Sequence, residues 1–366
     1  MERKNELLTP IELLSLIVGN MIGVGILTLP RDVGKYAHED GWIAIILGSI
    51  YPFYIALMGI YISKKFPNYN ILSLSKKLCG KLIGNILNFL FLIGFILSFC
   101  STVVSMTNVV RIYLVYFLPK FKTILAIISV VTYVSTKDLK VIARLSLVIF
   151  YITIFLLVIP LNVLRRGNIL NIQPVFSSSI GDIMKASMQS SFAYSGIEIF
   201  LLTYPYVNDK KKIKKYVLTS VLIITLFYIG ANFLTLFYLG DELINKLKWP
   251  FIATTETLVI PIVNNFRYIF MYLWSTIIIK TLTNFHFSLT FTINDWIKKV
   301  DRRYICLIMA PILIWICMSF GNEVKFKEIS KYSIPITTVF NISFVTIIAF
   351  LIKINDKNEK KAIKSL

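Results

Sequence analysis

The sequence predicts an all-α membrane protein of about ten transmembrane helices, arranged as two inverted halves of five with the first and sixth helices interrupted. Three observations predict it. Apolar residues make up 56% of the 366-residue chain and charged residues only 16%, against about a quarter charged in soluble domains. The apolar residues gather into runs such as Gly41 to Ile62, Val217 to Leu239 and Tyr332 to Ile352, each long enough to cross a hydrocarbon core as a helix. Clusters of glycine and small polar residues break two of the runs at matching positions of the two halves. The runs do not alternate with polar residues as barrel strands do, so the backbone amides must be satisfied within helices.

Taken in order, the first half (about 9–164) holds spans from Thr9 to Pro30, Gly41 to Ile62, Leu82 to Tyr113, Thr123 to Val134 and Val141 to Leu164. The second half (about 183–354) holds spans from Ile183 to Tyr206, Tyr216 to Leu239, Phe266 to Ile293, Tyr304 to Phe320 and Tyr332 to Ile354. The first span opens on Thr9-Pro10-Ile11-Glu12, with Thr9 as N-cap, Pro10 at the first helical position and Glu12 completing a capping box. No small-residue cleavage site follows a signal-type apolar core, so this helix is expected to be retained. The third span is long and the fourth short, which predicts tilt. The stretch Asp241 to Asn265, with Trp249-Pro250 and Ile260-Pro261, reads as a bent loop lying on the protein.

The formal charge of +20 is carried by loops between apolar runs, so it reads as a topology signal rather than a nucleic-acid footprint. One set of connections holds Lys64, Lys65, Lys76, Lys77, Lys81, Lys137, Lys140, Arg144, the run Lys210 to Lys215, Lys298, Lys299, Arg302 and Arg303. With Arg3, Lys4 and the tail from Lys353 to Lys364 this side has roughly twice the basic residues of the other, which predicts that both termini are cytoplasmic. The run Lys210 to Lys215 reads as topology in preference to lipid-headgroup recognition. Cys79, Cys100, Cys306 and Cys317 lack metal or redox spacing, and His38 and His286 are far apart. No metal or cofactor is expected, and no nucleophile–base constellation argues for an enzyme.

The first span contains Gly19-Asn20-Met21-Ile22-Gly23-Val24-Gly25, poor material for a continuous helix. Close packing through small residues is one reading, and an unwound segment that binds a small zwitterion is the other. The sixth span contains Ser190-Ser191-Phe192-Ala193-Tyr194-Ser195-Gly196-Ile197-Glu198, which puts hydroxyls, a glycine and an acid inside an apolar helix. Two interrupted helices at corresponding places of inverted halves favour a ligand site near the bilayer midplane. In the third span Ser98, Ser101, Ser105 and Asn108 share a face, open to either packing or cavity lining.

These residues carry a resemblance. Gly23-Val24-Gly25-Ile26 resembles the G-x-G-[IV] first-helix motif of the amino acid–polyamine–organocation transporters, a LeuT-like superfamily. Phe192 to Glu198 resembles its F-A-[FY]-x-G-[FI]-E sixth-helix motif. Leu8-Thr9-Pro10, Gly25-Ile26-Leu27-Thr28-Leu29-Pro30 and Trp249-Pro250 followed by Phe266-Arg267 are similar to the spore germinant-receptor B subunits, with Phe266 standing where that group has glutamate. The resemblance implies an inverted-repeat fold around a small amino-acid site in the spore inner membrane, beside an A subunit and a C lipoprotein. The candidate ligand-binding residues are Asn20, Gly23, Val24, Gly25, Ser101, Phe192, Ala193, Tyr194 and Gly196. A stand-alone proton-coupled amino-acid permease is the alternative, since the residues do not separate sensing from transport.

Lys280 lies about 13 residues, or ~20 Å, into the eighth span, too deep to reach either interface easily. Related transporters hold sodium between helices one and eight, so the resemblance implies an ammonium able to replace the ion; a proton carrier, should desolvation lower its pKa, and a snorkelling side chain are the alternatives. Glu198 is its candidate counter-charge, with hydrogen bonding to nearby backbone as the other reading.

Overall fold

Thr9 caps the first helix as the sequence requires: its hydroxyl accepts from the Glu12 amide, and the Glu12 carboxylate accepts from the Thr9 amide at 2.7 Å. In the computed structural model, which describes residues 7–257, 266–321 and 323–364, this helix, α1, runs over Pro10–Met21 and stops. The chain resumes as α2 (Gly25–Ala37), turns through a 310 segment at His38–Asp40, and continues as α3 (Gly41–Gly48) and α4 (Ile50–Lys65). Then follow α5 (Ile71–Cys79), α6 (Lys81–Tyr113), α7 (Lys120–Ser135) and α8 (Leu139–Val158), with 310 segments carrying the chain to Ile172. The second half begins with α9 (Ile180–Ala193) and α10 (Ile199–Thr203), then α11 (Ile213–Lys246), α12 (Pro250–Thr255), α13 (Arg267–Trp296), α14 (Arg302–Ser319) and α15 (Glu323–Lys364). Among the described residues there is no strand, only one isolated bridge between Leu8 and Val207.

Among the described residues, six helical stretches are long and apolar enough by themselves to cross a membrane: 25–65, 81–113, 139–165, 210–246, 302–319 and 328–355. The expected spans missing from that set have physical reasons. The first and sixth are split into pieces of 12 and 14 residues, and the fourth is only 16 residues long. The eighth, α13, carries too many polar residues. From Lys280 to Thr292 it buries Lys280, Asn284, His286 and hydroxyls such as Thr281 and Ser288. It tolerates them because α1, α6, α7 and α8 pack around it and hold it away from lipid.

The packing is reciprocal between the halves. Helix α1 lies against α11 as α9 lies against α3; α1 meets α8 as α9 meets α15; α6 and α13 pack on each other. These are the contacts expected of two five-helix halves related by inversion. The broken helices therefore sit inside the bundle, while α14 and α15 are peripheral and present Trp315, Ile336 and Val339 outward.

Two segments depart from the sequence reading. The connection carrying Lys76 and Lys77 is a helix, α5, capped by Asn70, whose side chain accepts from the Ser73 amide at 3.0 Å. Its buried Ile71, Leu72 and Leu74 face the bundle, and Lys76 pairs with Asp295 at the end of α13. The stretch after Leu239 bends at Gly240, which has a φ of 72°, and then forms helix through Lys246 and again in α12. Ile260-Pro261 lies outside the described residues, as do Arg3 and Lys4.

The basic loops collect at one end of the molecule. Lys140 pairs with Glu12 at 2.6 Å, Arg302 donates to the carbonyls of Ser135 and Lys137, and Lys210 donates to the carbonyl of Pro67. The opposite end is tied by Asp40, which accepts from the Phe176 and Ser178 amides, and by Asp241 with His38.

Candidate ligand site between the interrupted helices

The first break spans Ile22 to Val24. Val18 still accepts from the Ile22 amide, but Ile22 adopts φ −76° and ψ 102°, which ends the helix. No hydrogen bond is described for the amides of Gly23, Val24, Gly25 and Ile26, the free donors that open any helix, and Val24 gives α2 no side-chain cap. Gly23, Val24 and Gly25 are half-buried. A Cβ on Gly23 meets nothing within 4 Å, and one on Gly25 lies 3.5 Å from the Ala193 Cβ.

The second break spans Tyr194 to Glu198 and touches the first. Gly196 has a φ of 119°, and a Cβ there falls 2.5 Å from the Asn20 carbonyl oxygen, so only glycine fits. The Asn20 side chain donates from Nδ2 to the Gly196 carbonyl at 2.7 Å, while its buried Oδ1 has no partner among the described residues. Phe192 and Ala193 are half-buried at the end of α9. Tyr194 is fully buried, and its hydroxyl is directed to the Ile45 carbonyl of α3.

Two side chains that the sequence reading missed hold these breaks. The Tyr228 hydroxyl of α11 lies 2.8 Å from both the Met21 and the Ala193 carbonyls, bridging the last turns of α1 and α9. The Thr281 hydroxyl of α13 lies 2.9 Å from the Gly19 carbonyl and 2.7 Å from that of Ile22. Each hydroxyl has one proton for two freed carbonyls, so acceptors at the breaks outnumber the donors offered by the protein. Tyrosine is common in this chain, 19 in all, and a lone one in an apolar run carried no signal. Thr281 was legible only through its neighbour Lys280.

Lys280 is 1% exposed and its Nζ lies 2.7 Å from where a Gly19 Cβ would sit. Among the described residues its ammonium has no hydrogen-bond partner. The pair with Glu198 that the sequence left open is not formed. Glu198 faces α4 and α15 instead, accepting from the Gly196 amide at 2.7 Å, from Asn341 Nδ2 at 2.9 Å and from the Tyr51 hydroxyl. Ser101 is half-buried on α6, and no hydrogen bond of its hydroxyl is described. Ser190 and Ser191 donate to carbonyls of α3 or of their own helix, which accounts for them by packing.

The family model for spore permeases, described as spore germination protein, matches residues 7–326. The chain belongs to that family. The spore germination protein YndE of Bacillus subtilis (strain 168) is 25% identical over 248 residues, 67% of this chain and 68% of that protein. Spore germination protein A2 of the same organism is 29% identical over 258 residues, covering 68% and 70%. Spore germination protein GerQB of Bacillus cereus is 26% identical over 258 residues, covering 70% and 71%. Among solved structures, that of MhsT in complex with L-phenylalanine superposes with a TM-score of 0.60, covering 94% of this spore permease chain and 87% of MhsT at 11% identity. The shared fold is that of LeuT-like transporters, and the chain is a membrane protein of a permease family rather than an enzyme.

Proposed function

We propose that this spore permease is the nutrient-sensing subunit of a germinant receptor in the spore inner membrane, binding a small amino acid or similar nutrient between the interrupted helices. The contact of the two breaks at Asn20 and Gly196 carries this reading. The free amides from Gly23 to Ile26 are donors suited to a carboxylate, and the positive end of α2 adds to them. The unpartnered Asn20 Oδ1 and the shared carbonyls around Tyr228 and Thr281 are acceptors suited to an amine. Gly23, Val24, Gly25, Phe192 and Ala193 are half-buried at the two breaks beside this polar set, and a Cβ on Gly23 would meet nothing within 4 Å. The MhsT structure supports the reading by analogy, because a protein of the same fold is complexed there with an amino acid.

On this reading Lys280 supplies, between α1 and α13, the fixed positive charge that a bound cation would otherwise provide. Glu198 acts separately, joining the second break to α4 and α15. The chain works with an A subunit and a C lipoprotein, and the end rich in lysine, with both termini, faces the cytoplasm. The test replaces the gene with Gly25→Val in spores and isolates the protein from spore membranes with its partners. Loss of nutrient-triggered germination at normal protein level, with an A subunit and a lipoprotein still co-isolated, is the expected result. A normal response removes the site. Amino-acid uptake by the purified chain alone in liposomes, with no co-isolated partner, establishes the permease alternative instead.

A further inference from the structure

Two cavities open at the lysine-rich end, and they differ in kind. The larger, about 480 Å3, is lined by Lys298, Lys299, Arg302 and Arg303, with Asp138 and Asp301 on the same wall. Its charges are largely balanced internally: Arg303 reaches Asp301, and Arg302 is engaged by the carbonyls of Ser135 and Lys137 and lies over the Phe287 ring. The smaller, about 370 Å3, is lined by Lys64, Lys210, Lys211 and Lys214 around Ile60, Ser63, Pro67 and Ile213, with no acid among its lining residues.

Within the smaller cavity Lys210 is structural, since its ammonium donates to the carbonyls of Pro67, Tyr204 and Pro205 and fixes the turn between α10 and α11. Lys64, Lys211 and Lys214 are exposed, and among the described residues none of them has a carboxylate partner. Three lysines with no carboxylate partner among the described residues therefore line one opening, together with Ile60 and Ile213, the buried apolar ends of two long helices. Like charges brought together in this way repel unless an anion joins them. The position, at the edge of apolar helices, supplies one with an acyl chain attached.

The geometry points to a binding site for the phosphate headgroup of an anionic phospholipid in the cleft between the end of α4 and the start of α11, with Lys64, Lys211 and Lys214 on the phosphate and the lipid's glycerol and acyl region against Ile60 and Ile213. This site is separate from the proposed nutrient site. A lysine near a membrane surface strengthens attraction to anionic lipid roughly fivefold, so three acting on one phosphate give a large and countable effect.

The test uses the full chain purified in detergent and titrated with phosphatidylglycerol, phosphatidylcholine and soluble glycerol phosphate, with retained lipid read by native mass spectrometry. The wild type is expected to retain phosphatidylglycerol selectively. Lys64→Gln/Lys211→Gln/Lys214→Gln should lose on the order of tenfold or more in that affinity, whereas Lys298→Gln/Lys299→Gln at the other cavity changes it less than about twofold. The triple arginine variant should restore binding, which a folding defect would not allow. Equal loss in both glutamine variants, or none in the triple variant, overturns the proposal. Glycerol phosphate binding as tightly as the lipid overturns the lipid assignment in favour of a soluble phosphate.

Discussion

At the residue scale, Lys280 is the most consequential side chain. Its depth in the eighth span was readable from the sequence by counting helical rise, while its place beside the first span, seen at Gly19, was implied only by the resemblance to transporters with sodium between helices one and eight. That it has no carboxylate partner among the described residues was not readable. Glu198 is the only acid in the sixth-span motif, but the donors that claim it, Tyr51 and Asn341, sit far away in sequence on α4 and α15. Asn341 in the middle of an apolar run was a usable signal for an interhelical bond, whereas Tyr51 among so many tyrosines was not. The prediction concerns the ammonium. Lys280→Met keeps the apolar stem, removes the charge and favours membrane insertion. If the ammonium stands in for a cation, the wild type responds to nutrient equally with and without sodium, and the methionine variant responds poorly at matched protein level. A sodium-dependent wild type, or an unimpaired variant, makes Lys280 a tolerated passenger.

At the element scale, both helix breaks were legible because Gly19 to Gly25 and Phe192 to Glu198 combine poor helix formers with polar groups inside apolar runs. What fastens the breaks was not, since it depends on long-range contacts that local pattern does not encode. Tyr228 joins the two halves there, its hydroxyl shared between the Met21 and Ala193 carbonyls. Tyr228→Phe strips both carbonyls of their donor in a buried setting, at a cost of about 1–3 kcal/mol. The expected outcome is a lower thermal midpoint for the purified protein and a weakened nutrient response. Unchanged stability would mean that the breaks are held by Asn20 and Thr281 alone. Helix α5 escaped the sequence reading for the opposite reason: nine residues with four buried positions lie below the length at which hydrophobic periodicity registers, and its lysines drew the eye to charge.

At the scale of the whole molecule, hydropathy gave the membrane class and charge gave two unlike ends, and the structure gathers the basic loops at one of them through Lys140, Lys210 and Arg302. The excess of lysine and arginine there is the ground for the proposal that this end faces the cytoplasm. In sealed vesicles of known sidedness, Lys212→Cys should react with an impermeant thiol reagent only from the cytoplasmic side, and labelling from outside inverts the whole arrangement. The central claim is that the two broken helices enclose a site for a small amino acid. It is tested most directly by equilibrium binding of labelled amino acids to the purified full chain with its co-isolated partners, comparing wild type, Gly25→Ala and Gly25→Val. A single added methyl lies in ordinary contact with Ala193, so Gly25→Ala should bind within a few-fold of wild type, while the branched Gly25→Val should weaken binding at least about tenfold by filling the break. Saturable binding that Gly25→Val leaves intact, or none for any small amino acid, would contradict the account.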